Sequence, residues 1–383
     1  MHKLAAALFL TISMSSAAWA QVDIRNPTIN TASAEGALIT QAGMAEDPEE
    51  KLKLLEAFAE KFSGHSAIGY VYLQLQGLYL PKNNFDRVIE YGKKLLATVP
   101  GDVEVRHNLT KAYEGKQDWA ALLPHLIETK PAAEKDVVTP EPEYEDEEAA
   151  WQAKIDYAKG VVQYIEYSLY TSALKIADPQ TKINYMNALR EQYADGQYAK
   201  QTVDYYIQAY QQLGDFENML AEMEKAVAAN PAQESYLYTL AESSLRQNNH
   251  DKAKAFAEQL VQVMSQKPKP ENQTDEAWEK HKALFTAYGN LVHGKSLISQ
   301  AGETKQMYRD GRKLLLTAVE PLKEQGGETY GALAYFLGIC YVKLDVEGDN
   351  IAVATRWMGE AAKTQSPYQG EAKKTLAAIR ASQ

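Results

Sequence analysis

From Ala34 onward, apolar residues recur three and four positions apart with polar residues between them, the spacing of amphipathic helices. No stretch keeps the strict alternation of a half-buried strand, and proline and glycine fall between the periodic segments. The segments come in pairs around short polar turns. Between Lys200 and Pro231, Tyr206 and Tyr210 punctuate one helix, Gly214-Asp215-Phe216 makes the turn, and Ala226 and Pro231 mark the second helix and the exit. The next pair has Leu240-Ala241, then Asn248-Asn249-His250 at its turn, then Ala253 and Ala257. Alanine, leucine, glutamate, lysine and glutamine dominate, all good helix formers. The pattern predicts an all-α chain built from helical hairpins.

The hairpins repeat at a fixed offset. Asp47-Pro48 recurs 131 residues on as Asp178-Pro179, and the same shift carries Leu55 to Met186, Phe58 to Leu189 and Tyr79 to Tyr210. It also carries Phe85 to Phe216, Pro100 to Pro231 and Leu109 to Leu240. No gap is needed over roughly seventy residues, which marks an internal duplication and points to a solenoid. One hairpin cannot bury its apolar face alone, so stacked neighbours must complete the core. Tyr79, Tyr210 and Tyr341 are read as packing residues in that stack.

Within each copy the unit is about thirty-four residues. Leu75, Tyr79, Asn84-Phe85-Asp86 and Pro100 restate the scheme, followed by Leu109, Tyr113, Asp118-Trp119 and Leu122, and near the end by Leu337-Gly338 and Tyr341. These residues resemble the tetratricopeptide repeat (TPR), and the chain is similar to exported bacterial proteins of that type. The resemblance implies a right-handed superhelix of antiparallel helix pairs whose first helices line a concave groove. It places Tyr70, Leu73, His107 and Lys111 in the groove of the first copy. In the second it places Gln201, Asp204, Gln208, Tyr238, Glu242 and Arg246, and near the end Tyr335 and Lys343. A surface of tyrosine, amide and charged groups suits an extended peptide held by stacking and hydrogen bonds. The same tyrosines could equally fill gaps between helices. The paired lysine and asparagine of the family's chaperone-tail clamp are not matched.

Three blocks are expected. The first runs from 34 to 130 and closes at Pro131, followed by an acidic, proline-containing linker over 131–150 that should stay extended. The second block, a duplicate of the first, covers 151–266, and a second linker covers 267–276. A divergent third block fills 277–383, opened by an N-cap at Thr274 and interrupted by a longer turn from Lys343 to Asn350. Residues 21–33 are polar and expected to be disordered.

Residues 1–20 read as a signal peptide: a short basic start at His2-Lys3, an apolar stretch from Leu4 to Ile12, and Ala18-Trp19-Ala20 before a cleavage after Ala20. The expected location is the periplasm, with secretion as the alternative. No cysteine follows the cleavage site to carry a lipid anchor, and no later run is long enough to span a bilayer. The formal charge is −11, and loss of Lys3 with the leader would make it −12, an acidic balance that argues against nucleic-acid binding. It is compatible with basic partners. Cys340 is the one cysteine, set in an apolar run where a small buried residue is expected. No phosphate loop, dinucleotide fingerprint, zinc-protease motif or nucleophile elbow occurs, and His281 and His293 are not at a metal-pair spacing. No catalytic residue, cofactor or metal is therefore assigned. The reading that follows is a non-enzymatic scaffold of the bacterial envelope that binds a protein or peptide partner. The alternatives are an adaptor for envelope polymer such as peptidoglycan or polysaccharide, and an enzyme with an unmarked site. Self-association through the end repeats is compatible with each.

Overall fold

The computed structural model describes residues 24–344 and 350–381. The leader, its cleavage site and the middle of the turn before Asn350 lie outside the described residues. Among those described there are eighteen α-helices, two short 3-10 turns at Glu145–Glu147 and Ala199–Gln201, and no strand. The protein is an all-α helical repeat fold.

The chain divides between Thr202 and Val203 into two compact units. The first contains α1 (Ala34–Met44), α2 (Pro48–Lys61), α3 (Ile68–Tyr79), α4 (Phe85–Leu96), α5 (Val103–Lys116), α6 (Trp119–Val137), α7 (Glu148–Lys175) and α8 (Pro179–Gln192). The second contains α9 (Val203–Leu213), α10 (Phe216–Ala229), α11 (Glu234–Arg246), α12 (His250–Gln266), α13 (Asp275–Gln300) and α14 (Lys305–Thr317). It closes with α15 (Val319–Gln325), α16 (Gly327–Lys343), α17 (Asn350–Lys363) and α18 (Gln369–Ala381). Within each unit consecutive helices pack on each other, and alternate ones also meet: α3 touches α5 and α5 touches α7 in the first unit, α11 touches α13 and α13 touches α15 in the second, where α13 also reaches α16.

The duplication is visible in the backbone. Helix starts recur 131 residues apart, from Pro48 to Pro179, Phe85 to Phe216, Val103 to Glu234 and Trp119 to His250. The caps repeat too. Asp47 and Asp178 each hold a free amide of a helix that opens on proline; Asn84 and Asp215, and Asp118 and Asn249, cap the helices after the turns that follow, which open on phenylalanine, tryptophan or histidine. Such a cap contributes about 1 kcal/mol. Left-handed residues precede two of these pairs: Asn83 (φ 56°) matches Gly214 (φ 70°), and Gln117 (φ 55°) matches Asn248 (φ 57°). Each reverses the chain within the hairpin, where a small or amide side chain tolerates positive φ best.

The first-unit core gathers Leu55, Phe58, Val71 and Leu75, all at 1% exposure or less, with Tyr79 beside them. In the second unit Leu315, Leu333, Leu337, Cys340 and Met358 are fully buried, and Tyr210 and Tyr341 pack half-buried against their clusters. The packing role read for the three tyrosines and for Cys340 is what the structure shows. Burial pushes the Cys340 thiol up to about 12. A close crossing is α13 on α14, where a Cβ added at Gly311 would lie 2.8 Å from Ile298 and 3.2 Å from the Gly294 carbonyl. Gly311→Leu should therefore cost about 1–3 kcal/mol by overpacking, read as a lowered midpoint in thermal unfolding; an unchanged midpoint would contradict the close crossing.

Several boundaries differ from the sequence reading. The helix expected to close at Pro131 continues to Val137, because Thr129 and Ala133 on either side of the proline are fully buried. The stretch 131–150 is only in part a connection: Trp151 Nε1 donates to the Thr139 carbonyl at 2.9 Å, and Lys154 meets Asp136 at 3.0 Å. The compact division falls inside the expected second block, since α7 and α8 pack on α6. Residues 24–33, expected to be disordered, are tied down. Ile24 is 3% exposed, and Ser33 caps α1 through the Gly36 amide. Thr274 caps α13 as expected, through the Ala277 amide at 3.2 Å.

Candidate functional site

The second unit holds a cleft of about 710 Å³ between α11, α13, α16 and the turn ahead of α18. Its first wall follows from helical spacing. Tyr238, Glu242 and Arg246 are four residues apart on α11 and share one face, and all three line the cleft. Opposite them stand Lys295 from α13, Ala332 and Phe336 from α16, and Tyr368. Asn248, His250, Ser299, Glu328 and Thr329 add polar groups to the lining.

Aromatic stacking ties the walls together. Tyr238 stacks on Tyr288 at 4.4 Å between ring centroids, and Tyr335 stacks on Tyr368 at 5.0 Å with Phe336 edge-on to Tyr368 at 5.0 Å. At its floor the Lys295 ammonium donates to Glu242 at 2.9 Å, with side chains only 8% and 15% exposed. Burial first, and then the Glu242 charge, hold the Tyr238 and Tyr368 hydroxyls above the usual tyrosine range, so both stay neutral donors. Arg246 is exposed, and no ion pair engages it among the described residues. The cleft therefore offers flat aromatic walls, an internally neutralised floor and two opposite charges outside any ion pair among the described residues, the Arg246 guanidinium and the exposed Glu328 carboxylate, a combination suited to a polypeptide with a planar or apolar side chain.

Three of the predicted groove residues thus converge, and Tyr335 supports them by stacking behind Tyr368. Lys343, at the end of α16, is exposed and pairs with Glu303 at 3.8 Å instead. Asp204 and Gln208 lie exposed on α9, where Asp204 accepts from the Tyr236 hydroxyl. Gln201 belongs to the first unit, in the 3-10 turn, and donates to the Gln197 carbonyl at 3.1 Å.

In the first unit the predicted residues are less open. Tyr70 is half-buried against the core, and Leu73, at 6% exposure, packs with Ile24, Leu95, Val99 and Val105 rather than facing a ligand. His107 is 7% exposed; its Nδ1 meets the Tyr157 hydroxyl at 3.0 Å, and its ring packs against Tyr164 at 4.6 Å. Burial, and secondarily the nearby Lys111, lower its pKa to about 3. Lys111 is half-buried, and burial lowers its pKa too.

Lys295, Phe336, Tyr368, Tyr157 and Tyr164 were not reached from the sequence. The 131-residue offset carries the signal for several of them: it maps His107 to Tyr238, Lys111 to Glu242, Tyr157 to Tyr288 and Tyr164 to Lys295. Two equivalent stations are thus built from different side chains, His-Tyr-Tyr with a lysine in the first and Tyr-Tyr with an ion pair in the second.

The tetratricopeptide-repeat profile matches residues 208–233, which cover the end of α9, the Gly214 turn and α10 to Pro231. No curated protein matches the chain. Similar solved structures include the P58(IPK) TPR domain, 11% identical, covering 91% of this chain and 98% of that one, with a TM-score of 0.27. Yeast Tom70 is 13% identical over 92% of this chain and 89% of its own, with a TM-score of 0.24. The Naa15/Naa10 structure bound to HypK-THB is 14% identical over 91% of this chain and 55% of that one, with a TM-score of 0.26.

Proposed function

We propose that this protein is a non-enzymatic interaction scaffold of the bacterial cell envelope that holds a partner polypeptide in the cleft of its second unit. The carrying observation is the convergence of Tyr238, Glu242 and Arg246 with Lys295, Phe336 and Tyr368 around one opening. Paired, neutralised charge at the floor leaves recognition to the aromatic surface and to the unpaired Arg246 and Glu328, with tyrosine and arginine the residue types enriched in binding hot spots. Export rests on the composition of residues 1–20, and the periplasm is the compartment it favours.

The test is crosslinking in the native cell followed by purification of the mature protein. One defined envelope protein should be recovered, and recovery should fall at least about tenfold with Tyr238→Ala/Arg246→Ala, given about 2 kcal/mol or more for a hot-spot pair. Recovery of no protein, with co-sedimentation on purified cell wall instead, would replace this reading by the polymer one. A half-buried aromatic stack in the first unit, Tyr170 on Tyr198 at 4.8 Å with the exposed Tyr167 edge-on at 6.0 Å, would then be the surface to examine.

A further inference from the structure

The segment ahead of α1 is seated in a site that reads two consecutive side chains. Ile24, 3% exposed, fills an apolar pocket made by Leu73 of α3, Leu95 and Val99 at the end of α4, and Val105 of α5. Gly69 forms part of its wall, since a Cβ there would come within 2.8 Å of the isoleucine. The neighbouring Arg25 forks onto two acids at the start of α5. It donates to Asp102 at 2.6 and 3.2 Å and to Glu104 at 2.8 Å. Both contacts hold the guanidinium in its charged form, the Asp102 hydrogen bond most strongly.

The second copy shows that the fold does not require this arrangement. Where the first has Asp102, Glu104 and Val105, the second has Gln233, Ser235 and Tyr236, and in place of Leu73 it has Asp204. There the Tyr236 hydroxyl bonds to Asp204, and α11 starts without a side-chain cap. The helix forms in both copies, but only the first presents an apolar hole beside an acidic pair. Asp102 does cap α5 through the Val105 amide. Glu104 bonds only Arg25 among the described residues.

We propose that this pocket is a recognition site for a polypeptide segment carrying an apolar residue followed by arginine, and that Ile24 and Arg25 occupy it in cis. A partner with that dipeptide enters by displacing the chain's own segment. Charge complementarity favours it, because a chain of net charge −11 attracts basic segments and the bidentate acid pair selects arginine over lysine. The tethered segment competes at a high effective concentration, so the site is closed to weak ligands and open to stronger ones. The inference stands apart from the cleft of the second unit, and loss of capture there would leave it untouched.

The test uses the full chain and a fluorescent peptide of residues 24–30. Ile24→Ser/Arg25→Glu should release the segment and bind the peptide at least about tenfold more tightly than the unmodified chain, the gain expected when an occluding state is removed. Adding Glu104→Gln and Asp102→Asn, which keeps an asparagine cap, should abolish that binding, and a peptide with glutamate for its arginine should not bind. Gly36→Ala gives a second route to release, since its Cβ would lie 2.0 Å from the Asn30 carbonyl at the base of the segment. Equal peptide binding by unmodified and released chains, or none by either released variant, would overturn the proposal. So would loss of helix on release, which would make the segment a structural plug. An unmodified chain that sediments as a dimer and becomes monomeric on Ile24→Ser/Arg25→Glu would show the segment seated in a second copy, and would overturn occupancy in cis.

Discussion

Glu242→Ala is expected to destabilise the second unit by about 3–5 kcal/mol, the cost of leaving a buried cation without its partner. Lys295 is 8% exposed as a side chain and has Glu242 at 2.9 Å. Removing the carboxylate strands the ammonium between α11 and α13, and water reaches it poorly. The pair as a whole should be worth far less, because desolvating two charges offsets most of their attraction. Glu242→Leu combined with Lys295→Met should therefore recover most of the stability that Glu242→Ala loses. The first copy supports this, since it folds with Lys111 and Tyr164 at the same two positions and no ion pair between them. Urea unfolding read by hydrogen exchange within α11 and α13 separates the cases. A single variant no less stable than the double one would show that the lysine finds water or another partner.

The second large effect is on acid stability, and it belongs to the first unit. A free histidine takes up its proton near 6.5, whereas His107 in the folded chain does not until about 3. Between those values the unfolded chain binds one more proton than the folded one, so stability rises with pH. The contribution is fully present above pH 6.5 and is lost as the pH falls towards 3. The slope is about 1.4 kcal/mol per pH unit, and by pH 4.5 the loss amounts to roughly 2–3 kcal/mol. His125, also in the first unit and also lowered chiefly by burial, acts with the same sign. His107→Gln keeps an amide for the Tyr157 hydroxyl and has no proton to gain. Its unfolding free energy should fall less steeply than that of the unmodified chain between pH 6.5 and 4.5. Parallel profiles would show that His107 already takes its proton in the folded state.

Much of the fold was legible because its signals are local. Caps at Asp47, Asn84, Asp118 and Thr274, and turns at Gly214 and Asn248, mark helix ends through bonds reaching no more than three residues. One wall of the cleft was legible for the same reason, since Tyr238, Glu242 and Arg246 share a helix face. The opposite wall depends on which helices meet, and nothing near Lys295 or Tyr368 in the chain announces that they face α11. The resemblance put Leu73 in the groove because it places the first helix of each repeat on the inner face, but it says nothing of a segment about fifty residues upstream that covers this one. Pro131 misled for a related reason: a local breaker was overridden by burial on both sides.

The offset of the duplication and the division into compact units are out of step. One copy of the repeated helices begins at α2 and the next at α8, yet the compact boundary falls after α8. The repeated segment thus does not coincide with either compact unit. In a stack where each hairpin touches only its neighbours, a new set of hairpins needs a compatible seam and no core of its own. Growth by insertion then frees each copy to diverge at its inward positions while its caps and turns stay in register. One gene event could in this way leave a single chain with two stations of unlike chemistry on backbones of like geometry.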